Sequence, residues 1–187
     1  MRRFRIGVTS LFAVLSALVH VATGRARRPR VVLQPGDLAP DFELPGSDGR
    51  TYRLRDYKGC EPVILAWFPK AFTGGCAAEC RSLAAGQRAL SEAGVRCFAV
   101  SVDLPRTNRE FAKSLMLDYP VLSDSDRRVA RRYGVLGLTG FASRWTFYIG
   151  RDGRIAGIDK NVRPASHGRD VAARLNSQAG AERQAGA

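Results

Sequence analysis

The sequence contains no Cys-x-x-Cys pair, so the motif of a dithiol–disulfide reductase is missing from it. No internal repeat occurs, and at 187 residues the chain lacks the length for two ordinary domains. Residues 1–30 hold no acid at all but seven Arg, which supply more than half of the net charge of +13. In the remainder the basic residues, mostly Arg, are dispersed among Asp and Glu. A nucleic-acid-binding stripe needs a clustering that is absent here. What is present is ordinary: 45% hydrophobic and 25% charged residues exclude disorder, collagen and a polytopic membrane protein, and leave a soluble domain with a real core.

The N-terminus has the layout of a secretory signal peptide over residues 1–24. Arg2, Arg3 and Arg5 precede an apolar run from Ile6 to Ala22, and small residues follow at Ala22-Thr23-Gly24. The run also reaches the lower end of what spans a bilayer, and Arg25, Arg27, Arg28 and Arg30 immediately behind it disfavour cleavage. A cleaved leader and a retained membrane anchor over 6–22 both stand, and each places the rest outside the cytoplasm, periplasmic or secreted. A buried N-terminal helix is the structural alternative. Arg2-Arg3 is followed directly by Phe4, which departs from a twin-arginine signal. Residues 25–34 read as a basic linker, 35–176 as the folded domain and 177–187 as a flexible tail without apolar period.

Within 35–176, short apolar runs alternate with helix-like stretches, the pattern of an α/β domain. A hairpin is expected from Asp41–Leu44 and Thr51–Leu54 around Gly46-Ser47-Asp48-Gly49, then a buried strand over 62–68 stopped by Pro69. A long helix over 73–94, a strand over 95–102 and a helix over 105–117 with Pro at its start come next. A short strand at 121–122, a helix over 125–133 capped by Ser and Asp, a hairpin of 144–149 with 154–159, and a helix over 166–175 complete the domain. That order is the order of a thioredoxin-like fold, a single domain with a central mixed β-sheet flanked by helices.

The four Cys differ in setting. Cys97 lies inside an apolar strand and reads as core, and Cys60 sits in a turn without an activating neighbour. Cys76 falls in the first turn of the long helix, where open N–H groups and the positive end of the helix dipole favour thiolate over thiol. Gly74-Gly75 lets backbone approach a small substrate, and the Thr73 hydroxyl offers a hydrogen bond beside the sulfur. These features fit a nucleophile; they also fit a capped helix start that buries a Cys.

The run Pro69-x-x-x-Thr73-x-x-Cys76 resembles the peroxidatic signature of the peroxiredoxins, AhpC/TSA-like thiol peroxidases on a thioredoxin-like fold. Pro35-Gly36-Asp37-x-Ala39-Pro40-Asp41-Phe42-x-Leu44 is similar to that family's opening. Ser143-Arg144-Trp145-Thr146-Phe147-Tyr148-Ile149 is similar to the strand bearing its active-site Arg. The likeness covers roughly residues 35 to 175. Glu79, three residues after Cys76, points to the bacterioferritin-comigratory or Q-type subgroup, in which a second Cys follows in the same helix. That Cys usually stands five residues on, whereas Cys80 stands four on.

The resemblance implies roles. Cys76 is the peroxidatic residue attacking hydrogen peroxide or an organic hydroperoxide to give a sulfenic acid, with Cys80 the candidate resolving residue that forms a disulfide. Thr73, Gly75, Cys76 and Arg144 bind the peroxide, Arg144 stabilises thiolate and leaving oxygen, Pro69 shields the sulfur, and Glu79 is structural near the site. No cofactor and no metal are called for. The recycling partner is a dithiol reductant, thioredoxin-like and of unknown identity. By spacing alone Arg144 is one Arg among many, a surface residue at a strand edge.

One rival comes from another class. Extracytoplasmic copper chaperones of the Sco type also combine a thioredoxin-like fold, an anchor and a C-x-x-x-C pair with a distant His, so Cys76, Cys80 and His167 would be ligands in that reading. The Pro residues flanking the Cys pair in those chaperones are missing here, and His167 otherwise reads as a polar residue in the first turn of the last helix.

Overall fold

The computed structural model of the chain describes residues 31–185. The segments at 1–24 and 25–30, and with them the leader or anchor over 6–22, lie outside the described residues. Among the described residues no helix is long and apolar enough to cross a membrane.

A hairpin of β1 (Glu43–Pro45) and β2 (Thr51–Arg53) precedes a five-stranded sheet. That sheet comprises β3 (Val63–Trp67), β4 (Arg96–Ser101), β5 (Val121–Ser123), β6 (Thr146–Ile149) and β7 (Ile155–Asp159), in the order β5-β4-β3-β6-β7. β3, β4 and β5 run parallel, while β6 and β7 are antiparallel to their neighbours, so the sheet is mixed. The helices are α1 (Gly74–Glu92), α2 (Pro105–Ser114), α3 (Arg128–Arg132) and α4 (His167–Ala185). The thioredoxin-like reading of the sequence holds.

Both faces of the sheet are covered, which is why β3 reads as an unbroken apolar run. Val63, Leu65 and Trp67 face one cluster with Phe42, Leu44, Phe98, Tyr133 and Phe147. Ile64, Ala66 and Phe68 face the other, with Cys76, Cys80, Leu83, Cys97, Phe111 and Val171. The β1–β2 turn covers the β5 edge, where the Ser47 N–H donates to the Val121 carbonyl at 2.9 Å, leaving less of that edge open to pairing.

Three elements depart from the expected bounds. The helix expected over 125–133 shrinks to α3, because Arg127 takes a left-handed φ of 61°. Its cap is the buried Asp124 carboxylate, which accepts the Val129 and Ala130 N–H groups at 3.2 and 2.7 Å. α2 stops at Ser114 rather than 117, with Met116 at φ 51°. The last helix does not end at 175: α4 continues to Ala185, through the segment read as a flexible tail. Its Ala, Gln, Glu and Arg residues favour helix without giving the apolar stripe that pattern reading requires.

Candidate active site

The segment joining β3 to α1 carries the site. After Pro69 the Ala71 N–H donates to Asp103 Oδ2 at 2.8 Å, and the Ser101 hydroxyl donates to the same oxygen at 2.9 Å. Phe72 then adopts a left-handed φ of 61°, a conformation costing a non-glycine residue about 1–2 kcal/mol. Its ring meets Phe111 edge-on at 5.3 Å, which helps hold it there. Thr73 returns to extended geometry as the residue before α1. Its hydroxyl donates to the Lys70 carbonyl at 3.0 Å, leaving the oxygen lone pairs to accept from a substrate.

The first backbone hydrogen bond of α1 runs from the Ala77 N–H to the Thr73 carbonyl at 2.9 Å. The N–H groups of Gly74, Gly75 and Cys76 therefore precede the helical ladder and concentrate positive potential at the Cys76 thiol. Cys76 is 1% exposed, following directly on the exposed turn of residues 72–75. Arg144, just ahead of β6, places Nη2 at 3.4 Å from Cys76 Sγ. A Cβ added at Gly75 would meet that same Nη2 at 3.4 Å, so larger side chains there would crowd the guanidinium.

Arg144 is held from behind, since its Nη1 bonds Glu79 Oε2. Burial works against the guanidinium charge, but Glu79 and Cys76 outweigh it and raise its pKa further. Glu79 lies on the core-facing side of α1 and is 1% exposed. Its other oxygen, Oε1, is 3.1 Å from His167 Nδ1, a close approach that makes no hydrogen bond, and neither atom has another hydrogen-bond partner. His167 Nε2 is 2.8 Å from the Thr146 hydroxyl. The start of α4 is pressed onto α1: a Cβ at Gly168 would stand 1.9 Å from the Ser82 carbonyl oxygen, and the Gly168 N–H donates to the Ser82 hydroxyl at 3.0 Å.

Of the residues picked out along the sequence, Arg144 meets the Cys76 sulfur, Glu79 binds Arg144 and Gly75 lies beside the same guanidinium, while Thr73 stands just before α1 and Pro69 two residues after β3. Cys80 shares the buried face one turn on, and all four Cys are free thiols. Burial and the neighbouring Glu79 push the Cys80 thiol well above its usual range, which distinguishes it from a residue poised to attack peroxide. The Tyr119 hydroxyl donates to the Cys80 carbonyl at 3.0 Å. Cys97 is core in β4, its thiol pushed up to about 12 by burial, and Cys60 is exposed.

The copper-chaperone reading is corrected. Both nitrogens of His167 are turned to Glu79 and Thr146, and among the described residues no group of three His, Cys, Asp or Glu side chains is placed to hold a metal. Sequence reasoning missed Asp103, Thr146 and Tyr119, and gave His167 no place beside Glu79. Nothing in their local patterns marks these roles, because the contacts Asp103 to Ala71, Thr146 to His167 and Tyr119 to Cys80 span 21 to 39 residues.

Comparison with known proteins agrees with this geometry. The AhpC/TSA family model matches residues 35–158. The chain is similar to peroxiredoxin Bcp of Escherichia coli (strain K12), 33% identical over 142 residues, which covers 72% of this chain and 90% of that protein. Among solved structures it is similar to peroxidoxin BcpB from Mycobacterium tuberculosis, with a TM-score of 0.71, 30% identity, and 78% and 98% of the two chains covered. It shares a fold with Xanthomonas campestris bacterioferritin comigratory protein, studied for alkyl peroxide reduction, at a TM-score of 0.70, 24% identity, and 80% and 99% coverage. The chain belongs to the AhpC/TSA family and is a peroxiredoxin of the bacterioferritin-comigratory, or Q, type.

Proposed function

We propose that Cys76 is the thiol on which this peroxiredoxin, a thiol-dependent peroxidase, reduces hydrogen peroxide and organic hydroperoxides. The observation that carries the assignment is Arg144 Nη2 at 3.4 Å from a sulfur set in the first turn of α1. The Cys76 thiolate attacks the outer oxygen of the peroxide. A sulfur–oxygen bond forms as the oxygen–oxygen bond breaks, Cys76 becomes a sulfenic acid, and the leaving oxygen departs as water or alcohol after taking a proton. Arg144 balances charge on the sulfur and both oxygens, the Thr73 oxygen and the Cys76 N–H orient the peroxide, and Pro69 limits water. The alkyl peroxide activity of the Xanthomonas relative supports including organic hydroperoxides.

Cys80 then resolves the sulfenic acid, releasing water and closing a Cys76–Cys80 disulfide. Residues four apart on a helix hold Cβ atoms about 5–6 Å apart, against about 3.8 Å in a disulfide, so the first turn of α1 must loosen. An external dithiol, thioredoxin-like in chemistry, returns both thiols. The layout of residues 1–24 supports an extracytoplasmic site of action, as a cleaved or anchored protein. Fractionation of cells expressing the full chain tests this: recovery in the cytoplasm would overturn it.

The central test follows consumption of hydrogen peroxide and cumene hydroperoxide by the reduced full chain with dithiothreitol, beside Cys76→Ser. Turnover lost in the variant supports the assignment. Turnover retained in Cys76→Ser refutes it.

A further inference from the structure

Behind the reacting sulfur, polar side chains follow one another into the core: Cys76 Sγ to the half-buried Arg144 and Arg144 to Glu79 by hydrogen bonds, Glu79 to His167 by a 3.1 Å approach, and His167 to Thr146 by a hydrogen bond. We propose that His167 is a positioning residue for the peroxidatic centre, the buried base that holds the balancing proton when Cys76 is ionised. This rests on Cys76 being the ionising thiol of the proposed reaction.

Charge balance supplies the reason. With Cys76 as a thiol, Arg144 and Glu79 neutralise one another. When Cys76 becomes a thiolate, two anions share one permanent cation, and Cys76, Glu79 and His167 are each 1% exposed. An uncompensated charge in such a place is costly. His167 Nδ1 faces the Glu79 oxygen that Arg144 does not use, so an imidazolium there restores neutrality. The proton count of the cluster is conserved: one proton leaves Cys76 Sγ and one is taken up at His167 Nε2.

The second observation is the partner of that nitrogen. A hydroxyl both donates and accepts, and Thr146 Oγ1 lies 2.8 Å from Nε2. The Thr146 hydroxyl can donate to Nε2 of a neutral ring whose proton is on Nδ1, and can accept from Nε2–H once the ring is protonated. Rotation of one hydroxyl hydrogen changes the state without moving a heavy atom. An acceptor-only or donor-only partner would favour a single state.

The neighbouring side chains of α4 and of the core cluster on this face of the sheet do not replace this role. From α1 come Ser82, whose hydroxyl is taken by the Gly168 N–H, and the Cys80 thiol, raised by burial. β4 contributes the raised Cys97 thiol, and β6 contributes Tyr148, also raised by burial. On α4, Asp170 is engaged by Arg163 and Ser166, each at 2.8 Å. Glu79 is therefore the carboxylate left to face the ring.

The test uses the reduced full chain, whose other imidazole, His20, serves as an internal reference in the NMR spectrum. The titration of His167 is followed by nitrogen NMR in the wild type and in Cys76→Ser. The pH profile of Cys76 alkylation by iodoacetamide, read by peptide mass, is followed in the wild type and in His167→Gln. Linkage requires reciprocity: His167 should titrate about one pH unit lower in Cys76→Ser, and Cys76 should ionise about one unit higher in His167→Gln. A His167 midpoint that ignores the Cys76 substitution overturns the proposal, as does an unshifted alkylation profile in folded His167→Gln. If His167→Gln fails to fold, the Cys76→Ser spectrum decides alone. Peroxide turnover surviving in Cys76→Ser would sink the peroxidatic assignment itself, whereas Cys76-dependent turnover beside an indifferent His167 sinks the balancing role only.

Discussion

Arg144 touches two side chains at once: Nη2 lies 3.4 Å from Cys76 Sγ while Nη1 is bound to Glu79 Oε2. The planar fork of the guanidinium makes that bridge possible, and the ammonium of lysine, whose three donors sit on one nitrogen, cannot reproduce its geometry. Arg144→Lys should therefore slow peroxide reduction although the charge is kept. Loss of a preorganised donor at a developing oxyanion costs about 100- to 1,000-fold in rate. Stopped-flow measurement of Cys76 oxidation checks this; a Lys variant within threefold of wild type would show that charge alone suffices.

Asp103 acts at a distance from the sulfur, by accepting the Ala71 N–H at 2.8 Å. Replacing it with Ala leaves that N–H without its partner and releases the turn that forces Phe72 to φ 61°. We expect about 1–3 kcal/mol of lost stability and about tenfold slower oxidation of Cys76 from a misplaced Thr73. Urea unfolding and stopped-flow rates measured on Asp103→Ala give the two numbers.

The disulfide step separates Cys80 from the other thiols. After one equivalent of peroxide, the wild-type chain should lose two hydrogens by intact mass, and Cys80→Ser should instead retain an added oxygen at Cys76. An intramolecular bridge still forming in Cys80→Ser would assign resolution to Cys60 or Cys97.

Asp124 gives a pH dependence with a definite sign. Its carboxyl is raised to about 6 because burial outweighs the Ala130 and Val129 N–H groups it accepts, with the carboxylate of Asp126 adding to the rise. An acid whose pKa rises on folding keeps its proton longer in the native state than in the unfolded chain. Between the unfolded value of about 4 and the folded value, the native state binds more protons, so this group's stabilising contribution falls as pH increases through that window. Unfolding free energies at pH 4 and pH 7 should show the wild type losing more stability over this interval than Asp124→Asn. Equal losses would remove Asp124 as the cause.

The sequence by itself determined the strand and helix order, because buried apolar runs and helix-forming stretches alternate at the spacing of β3, α1, β4 and α2. It also made legible the residue proposed to react, since Pro69, Thr73 and Cys76 lie within one strand-to-helix turn whose chemistry is local. It misjudged the ends of α3 and α4, where a positive φ at Arg127 and an Ala-rich stretch without apolar period govern. Only the tertiary structure decided what stands behind the sulfur. Arg144 lies 68 residues from Cys76 and meets it because β6 pairs with β3. His167 faces Glu79 because glycine at 168 lets α4 press against the backbone of α1. No periodicity encodes such contacts; they exist because α1 and α4 pack side by side on one face of the sheet, and that packing brings polar groups distant in sequence together.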